Sequence, residues 1–190
     1  NAWEMTQTSI ESFFDKLLAE REDYNRGAHT ITDHLDELIG SFYLEMTGLL
    51  AQRTAELHIA LASLKDYRGF EVERFSLLYQ KSLYQALRTL VRRSFNKIKA
   101  ISDSMPEKHM DLLGEMLDSE KLFLSLSRGW LEKAKIPAFK TRIHGNYKLD
   151  KVLFTGKDFR IINFEGEMER SFSVRRIKHS PLKDVASMLS

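Results

Sequence analysis

The chain has 190 residues, 29% of them charged and 43% hydrophobic, with a formal net charge of +2. That is enough length for one domain with a sizeable core, and too little charge to point to nucleic acid or a membrane surface as partner. Cysteine is absent, which excludes disulfides and thiolate chemistry and fits a cytoplasmic protein. No run approaches the roughly 18 apolar residues of a membrane span, and no signal peptide is visible.

Four helical stretches fill roughly the first 135 residues. Thr8 with Glu11 makes a capping-box signal, ahead of an apolar face of Ile10, Phe13, Phe14, Leu17 and Leu18. Asn25, Arg26 and Gly27 stop that helix, and Thr30 and Asp33 open a second stretch. Its apolar stripe runs Leu35, Leu38, Phe42, Met46, Leu49, Leu50, Leu57 and Leu61, long for one globular helix, so a break at Gly40 or Gly48 is expected. Residues 66–69 form a loop.

A third helix carries Leu83, Leu87, Leu90, Val91 and Ile98 at helical spacing, with Arg88, Arg92, Arg93 and Lys97 mostly off that stripe. Such a basic row is more often a solvated face than a phosphate site. Asp103, Ser104 and Pro106 signal a fourth helix with Leu113, Met116, Leu117, Leu122, Leu126 and Trp130 inward, ended by Pro137.

After Pro137 the pattern changes. Residues 152–154 and 159–162 are short β-rich runs, and Thr155–Asp158 between them reads as a four-residue hairpin loop. Val152, Leu153, Phe159 and Ile161 are expected to face the helices. Residues 170–183 read as a polar, basic loop, and a last helix starts at Asp184.

Residues 142–167 carry the chemistry. Phosphoryl transfer needs one carboxylate to orient the substrate hydroxyl and take its proton. It also needs a second carboxylate, with a nearby side-chain oxygen, to hold magnesium on the nucleotide phosphates. The usual layout is His-Gly-Asp, then Asn or Gln five residues on, then a hairpin delivering an Asp. Here those positions hold His144-Gly145-Asn146, Lys151 and Asn163-Phe164-Glu165. An amide at 146 can position a hydroxyl but cannot accept its proton. Asn163 offers a metal an oxygen without a charge. A lysine at 151, about 4 Å from a divalent ion, would be repelled by roughly 8 kcal/mol at an effective dielectric of 20. Two readings follow. Either Lys151 contacts phosphate directly with Glu165 or Glu167 as metal ligand, or Glu165 pairs with Lys151 or a nearby Arg and the site is inert. Three losses on the three groups the mechanism needs favour the second.

The other histidines are weaker candidates. His58 follows Glu56 on a helix without a second His at metal-ligand spacing, which argues against zinc. His34, His109 and His179 are isolated.

The segment 142–167 resembles the maltokinase family, whose pattern is close to His-Gly-Asp-Tyr-His-Leu-Gly-Gln-Val-Leu, a hairpin, then Ile-Asp-Phe-Glu-Gly-Glu. Lys148 and Asp150 also depart from that pattern. Residues 175–189, 53–62, 81–85 and Trp3-Glu4 resemble the family too, in order along nearly the whole chain. The resemblance implies a mostly α-helical C-terminal lobe of an aminoglycoside-phosphotransferase-like kinase fold with a small β-hairpin. It places a single domain over 1–190: a hinge segment at 1–6 with Trp3 and Glu4 near the nucleotide, a helical region at 7–135, the degenerate catalytic loop and hairpin at 139–167, and a loop and helix start at 168–190. His144 braces the catalytic loop through its ring, Asn146 stands at the catalytic base, and Lys151, Asn163 and Glu165 stand at the metal positions. Asp184 is structural. The family uses ATP and Mg2+ to phosphorylate maltose, often fused to trehalose synthase. For this chain the expectation is a pseudokinase module of trehalose–maltose metabolism that holds no cofactor itself. Its expected partners are an N-terminal ATP lobe preceding residue 1, a trehalose synthase catalytic domain, and maltose. An active maltose kinase with a divergent metal site, or a helical interaction domain without a nucleotide role, are the alternatives.

Overall fold

The computed structural model describes residues 1–21, 34–132 and 136–190. They are mostly helical with two two-stranded sheets and divide into two compact units, residues 1–72 with 140–190, and residues 73–139.

The first unit opens with α1 (Ala2–Ala19). Its capping box is Asn1 with Glu4: the Asn1 side chain accepts from the Glu4 amide at 3.0 Å and Glu4 reaches back to the Asn1 nitrogen at 2.7 Å. Thr8 and Glu11 therefore lie inside the helix rather than at its start, and Glu11 accepts from Gln7 Nε2 at 3.0 Å. The inner face also differs from the expected stripe. Phe13 and Leu17 are half-buried, whereas Ile10, Phe14 and Leu18 are exposed. The expected stop at 25–27 and start at Thr30 and Asp33 lie outside the described residues.

Gly40 makes the break in the second stretch, and Gly48 does not. Gly40 has φ 91°, a backbone state that costs glycine nothing, and it separates α2 (Leu35–Ile39) from α3 (Ser41–Ser63). Lys16 fastens α1 to the end of α2: its Nζ donates to the carbonyls of Glu37 and Leu38 at 3.0 and 3.2 Å. A cation there also meets the negative end of the helix dipole.

The return segment supplies a hairpin, β3 (Val152–Phe154) with β4 (Phe159–Ile161), antiparallel with Val152 opposite Ile161 and Phe154 opposite Phe159. The turn is Thr155–Asp158, as its sequence suggests, closed by the Thr155 amide on the Asp158 carbonyl at 2.8 Å. Val152 and Phe159 are buried with Ala2, Leu50 and Tyr147 in one apolar cluster, against Met5, Met46 and Met188. Burying a Val, Leu or Phe side chain of this kind contributes about 1.5–3 kcal/mol by removing it from water. Leu153 is 41% exposed, contrary to the expected contact, because strand side chains alternate and Val152 takes the inner face. Arg53 on α3 clamps the turn with two bonds to the Asp158 carboxylate, 2.9 and 3.1 Å. That guanidinium holds the Asp158 carboxyl below its usual range.

Residues 170–183 are not all loop. They contain α6 (Phe172–Arg175), and α7 (Leu182–Met188) begins two residues before Asp184.

The second unit is a helical pair, α4 (Leu77–Ile101) and α5 (Met110–Glu132), with strands β1 (Glu73–Arg74) and β2 (Phe139–Lys140) paired at the chain's entry and exit. Ser76 caps α4, its Oγ accepting from the Tyr79 amide at 3.1 Å. Between the helices run two single 3-10 turns, Ser102–Ser104 and Glu107–His109, so α5 starts later than Pro106 suggests. Phe95 and Leu113 are buried, while Leu90, Met116, Leu122 and Leu126 are exposed, which narrows the contact face relative to the expected stripes. On α4, Arg92, Arg93 and Lys97 are exposed and Arg88 is half-buried.

Candidate functional site

The loop 141–151 is assembled from behind by one carboxylate. Thr141 bridges to His179 by reciprocal backbone bonds of 2.9 and 3.0 Å, which brings the residues before α7 alongside the loop. Asp184 then reaches back. Its Oδ2 accepts the His144 amide at 2.8 Å and its Oδ1 the Gly145 amide at 2.9 Å. His58 Nε2 on α3 lies 2.9 Å from the same Oδ2. Asp184 is 1% exposed. Burial pushes its carboxyl up, but the His58 bond and the two amides outweigh burial and hold it below the usual carboxylate range. It is therefore ionised and acceptor-only, so His58 donates from Nε2.

The His144 ring makes a second tie. It is 1% exposed, and its Nε2 lies 2.8 Å from the Ile162 carbonyl. A carbonyl only accepts, so the proton is on Nε2 and Nδ1 is left as an acceptor. The Asn146 amide donates to that Nδ1 at 3.3 Å. The imidazole thus ties the loop at 146 to the end of β4. Next along the chain, Tyr147 plunges into the core with 1% exposure, its OH 2.7 Å from Thr54 Oγ1. Thr54 spends its own proton on the Leu50 carbonyl at 2.8 Å, so Tyr147 is the donor.

Two further contacts complete the assembly. The Ile162 amide donates to the Lys151 carbonyl at 3.0 Å, fixing the end of β4 beside Lys151. A Cβ added to Gly145 would come within 3.7 Å of the Gly166 Cα, so the loop and the segment after the hairpin approach backbone to backbone. Asn146, Lys151 and Asn163 are thereby brought to one corner of the first unit. Asn163 has φ 66°, a left-handed conformation that Asn and Asp tolerate better than other non-glycine residues.

The polar groups at that corner pair locally. Lys151 Nζ pairs with Asp150 Oδ2 at 2.7 Å, not with Glu165. Arg175 donates to Glu165, but to its backbone carbonyl at 3.0 Å. The expected Glu165 pairing is thus not formed: among the described residues the Glu165 carboxylate has no ion pair. The corner offers two neutral amides, one cation and one separate carboxylate, and among the described residues no group of three acidic or imidazole ligands converges on a point. Trp3 and Glu4 lie in the first turn of α1, Trp3 being 56% exposed. His179 is half-buried, and burial, with Lys183, Arg170 and Lys140 nearby, lowers its pKa to about 4.

Sequence reasoning missed His58 and Tyr147. A histidine three residues before a leucine on an amphipathic helix carries no signal for a partner on another element, and Tyr147 reads as one aromatic in a polar loop. The closure of α7 against α3 gives His58 its role, and the packing of the loop against Thr54 of α3 gives Tyr147 its own.

No family model matches the chain. Its fold is similar to that of glucosamine kinase. One such structure, in complex with glucosamine, ADP and inorganic phosphate, superposes with a TM-score of 0.57 at 14% identity, covering 82% of this chain and 33% of that one. Two further crystal forms of a glucosamine kinase give TM-scores of 0.55 at 15% and 16% identity, covering 87% and 93% of this chain. At such identities the likeness is one of fold. The chain spans about a third of the length of these kinases. No helix among the described residues is long and apolar enough to cross a membrane.

Proposed function

We propose that this chain is the C-terminal-lobe portion of a maltokinase-like sugar kinase whose phosphoryl-transfer site is degenerate, so that it serves as a pseudokinase module. The observation that carries the reading is the corner at 146, 151 and 163. The loop is held by a set of hydrogen bonds to its backbone and ring: Asp184 accepts two amides, and His144 ties the loop to the end of β4. Yet the three side chains on that frame are an amide, a lysine already paired with Asp150, and an amide. A frame kept while its acids are absent suits a scaffold or a ligand sensor better than a catalyst. The sugar-kinase fold supports the first half of the proposal, and the donor chemistry supports the second.

In this proposal an ATP-binding lobe precedes residue 1, and a trehalose synthase domain accompanies the module. ATP and magnesium are the family's cofactors, and maltose its acceptor. The test is calorimetry of the full-length protein with ATP, with and without magnesium, alongside a phosphate-transfer assay on maltose. We expect no transfer above a heat-treated control and no gain in ATP affinity on adding magnesium. Tight magnesium-dependent ATP binding would overturn the reading and favour a working kinase with a divergent metal arrangement.

A further inference from the structure

A pocket of about 260 Å³ opens beside the catalytic-loop frame, between residues 142–144, residues 164–165 and α6. Three guanidinium groups line it: Arg142, Arg175 and Arg176. All three lie against aromatic faces, Arg175 standing 5.6 Å from the ring centre of Phe172. Arg176 stands 4.2 Å from the ring centre of Phe172, and Arg142 stands 5.5 Å from that of Phe70. Stacking fixes the plane of a guanidinium while leaving its N–H edge available, the geometry in which arginine recognises oxyanions.

The protein does not supply the acceptors these groups call for. Arg142 uses Nη1 on the Arg176 carbonyl at 2.8 Å, and Arg175 uses Nη1 on the Glu165 carbonyl at 3.0 Å. Arg175 Nε is buried without a hydrogen-bond partner. A buried charged donor left unmade is expensive and uncommon in native structures. Among the described residues none of the three arginines forms an ion pair. Glu165 also lines the pocket, so three positive charges face one negative.

We infer that this pocket binds the phosphate of a small phosphomonoester, with its organic body against the aromatic wall. The net lining charge of two matches a phosphomonoester, which carries about −1.5 to −2 at pH 7. A carboxylate would leave one cation unanswered. Size selects an ester over the bare anion. The volume is just below the ~300–1,000 Å³ typical of ligand pockets, and Phe164 and Phe172 present apolar faces at 50% and 59% exposure. The site is distinct from the corner at 146, 151 and 163: none of those residues lines it.

Calorimetry of this chain with phenyl phosphate, inorganic phosphate and phenol tests the inference. Phenyl phosphate is expected to saturate one site, at least tenfold more tightly than inorganic phosphate, and phenol is expected not to bind. Arg176→Gln should weaken phenyl phosphate at least tenfold. Arg176 is exposed and its backbone bond to Arg142 survives the change, so the fold should hold, which a melting curve checks. Glu165→Gln should tighten binding several-fold by removing the one competing carboxylate. Arg92→Gln with Arg93→Gln, on the exposed face of α4, should change nothing. Absence of saturable phenyl phosphate binding overturns the proposal, as does equal loss in the α4 variant. Equal affinity for inorganic phosphate and phenyl phosphate overturns the assignment to an ester.

Discussion

His58 on α3 and Asp184 on α7 are 126 residues apart in sequence and 2.9 Å apart in space, Nε2 to Oδ2. The pair ties two helices together behind the loop that carries Asn146. Asp184 also accepts the amides of His144 and Gly145, so one buried carboxylate satisfies three donors from two elements. Removing it leaves those donors buried without acceptors. Removing His58 leaves Asp184 with its two amides.

The two variants should therefore differ. Asp184→Ala is expected to cost about 3 kcal/mol or more, the range for breaking a buried charged network. His58→Ala should cost about 1.5 kcal/mol, one hydrogen bond to a charged group. Urea unfolding of each, with the double variant, measures both. If the losses add without coupling, the two groups do not act through the contact described.

Acid should weaken the protein in two steps. The folded pKa of His179, about 4, lies below the ordinary value near 6.5. Between those values the unfolded chain binds a proton that the folded chain refuses, so stability falls as pH drops from about 6.5 toward 4. Asp184 has the usual depressed carboxyl, so its contribution is full above the ordinary Asp range and is lost as pH falls through its lower folded pKa. His179→Gln should flatten the upper step and leave the lower one. Unfolding midpoints from pH 8 to 3 report both, and an unchanged upper step in that variant would contradict the His179 assignment.

The hairpin was legible in the sequence because its signals are local: two β-rich runs and a four-residue polar turn, although the expected inward placement of both Val152 and Leu153 ignores strand alternation. The break at Gly40 had the same character. The helix faces were less legible. Period alone gives a stripe about 100° wide, and which edge is covered depends on the neighbours, so Phe13 went in and Phe14 stayed out. The start of α1 was missed because two cap-like signals compete and the earlier one closes. At the site, residue types at the loop positions were readable from spacing. The Lys151 pairing was not, since Asp150 beside it and Glu165 farther on are equally plausible from sequence.

The hairpin gives a stability contrast between its two faces. Phe159→Ala removes a ring buried in the apolar cluster and should cost about 3–5 kcal/mol. Leu153→Ala, on the outer face of the same hairpin, should stay within about 0.5–1 kcal/mol. Thermal or urea unfolding decides, and comparable losses would mean that the strand faces are assigned the wrong way round.

Under the proposed pseudokinase reading, phosphoryl transfer should demand changes at all three positions together. In the full-length protein, Asn146→Asp alone returns a base but leaves Lys151 and Asn163 beside any incoming magnesium. Asn163→Asp is compatible with the backbone, because Asp tolerates the left-handed φ of 66° nearly as well as Asn. Asn163→Ala should instead cost about 1 kcal/mol for that conformation, so the two substitutions separate backbone strain from charge. Lys151→Gln removes the cation and frees Asp150 from its 2.7 Å pair. Together, Lys151→Gln and Asn163→Asp shift the local charge by two units, in a place where one charge at 4 Å is worth about 4 kcal/mol at an effective dielectric of 20. That pair of changes should produce magnesium-dependent ATP binding without transfer, and adding Asn146→Asp should then produce transfer. The effects should be strongly non-additive, since base and metal act on one step. Calorimetry with ATP, with and without magnesium, reads the binding step, and a labelled-phosphate assay on maltose reads the chemistry. Magnesium-dependent ATP binding by the Asn146→Asp variant alone would show that Lys151 does not repel the metal, and the degenerate-site reading would fall.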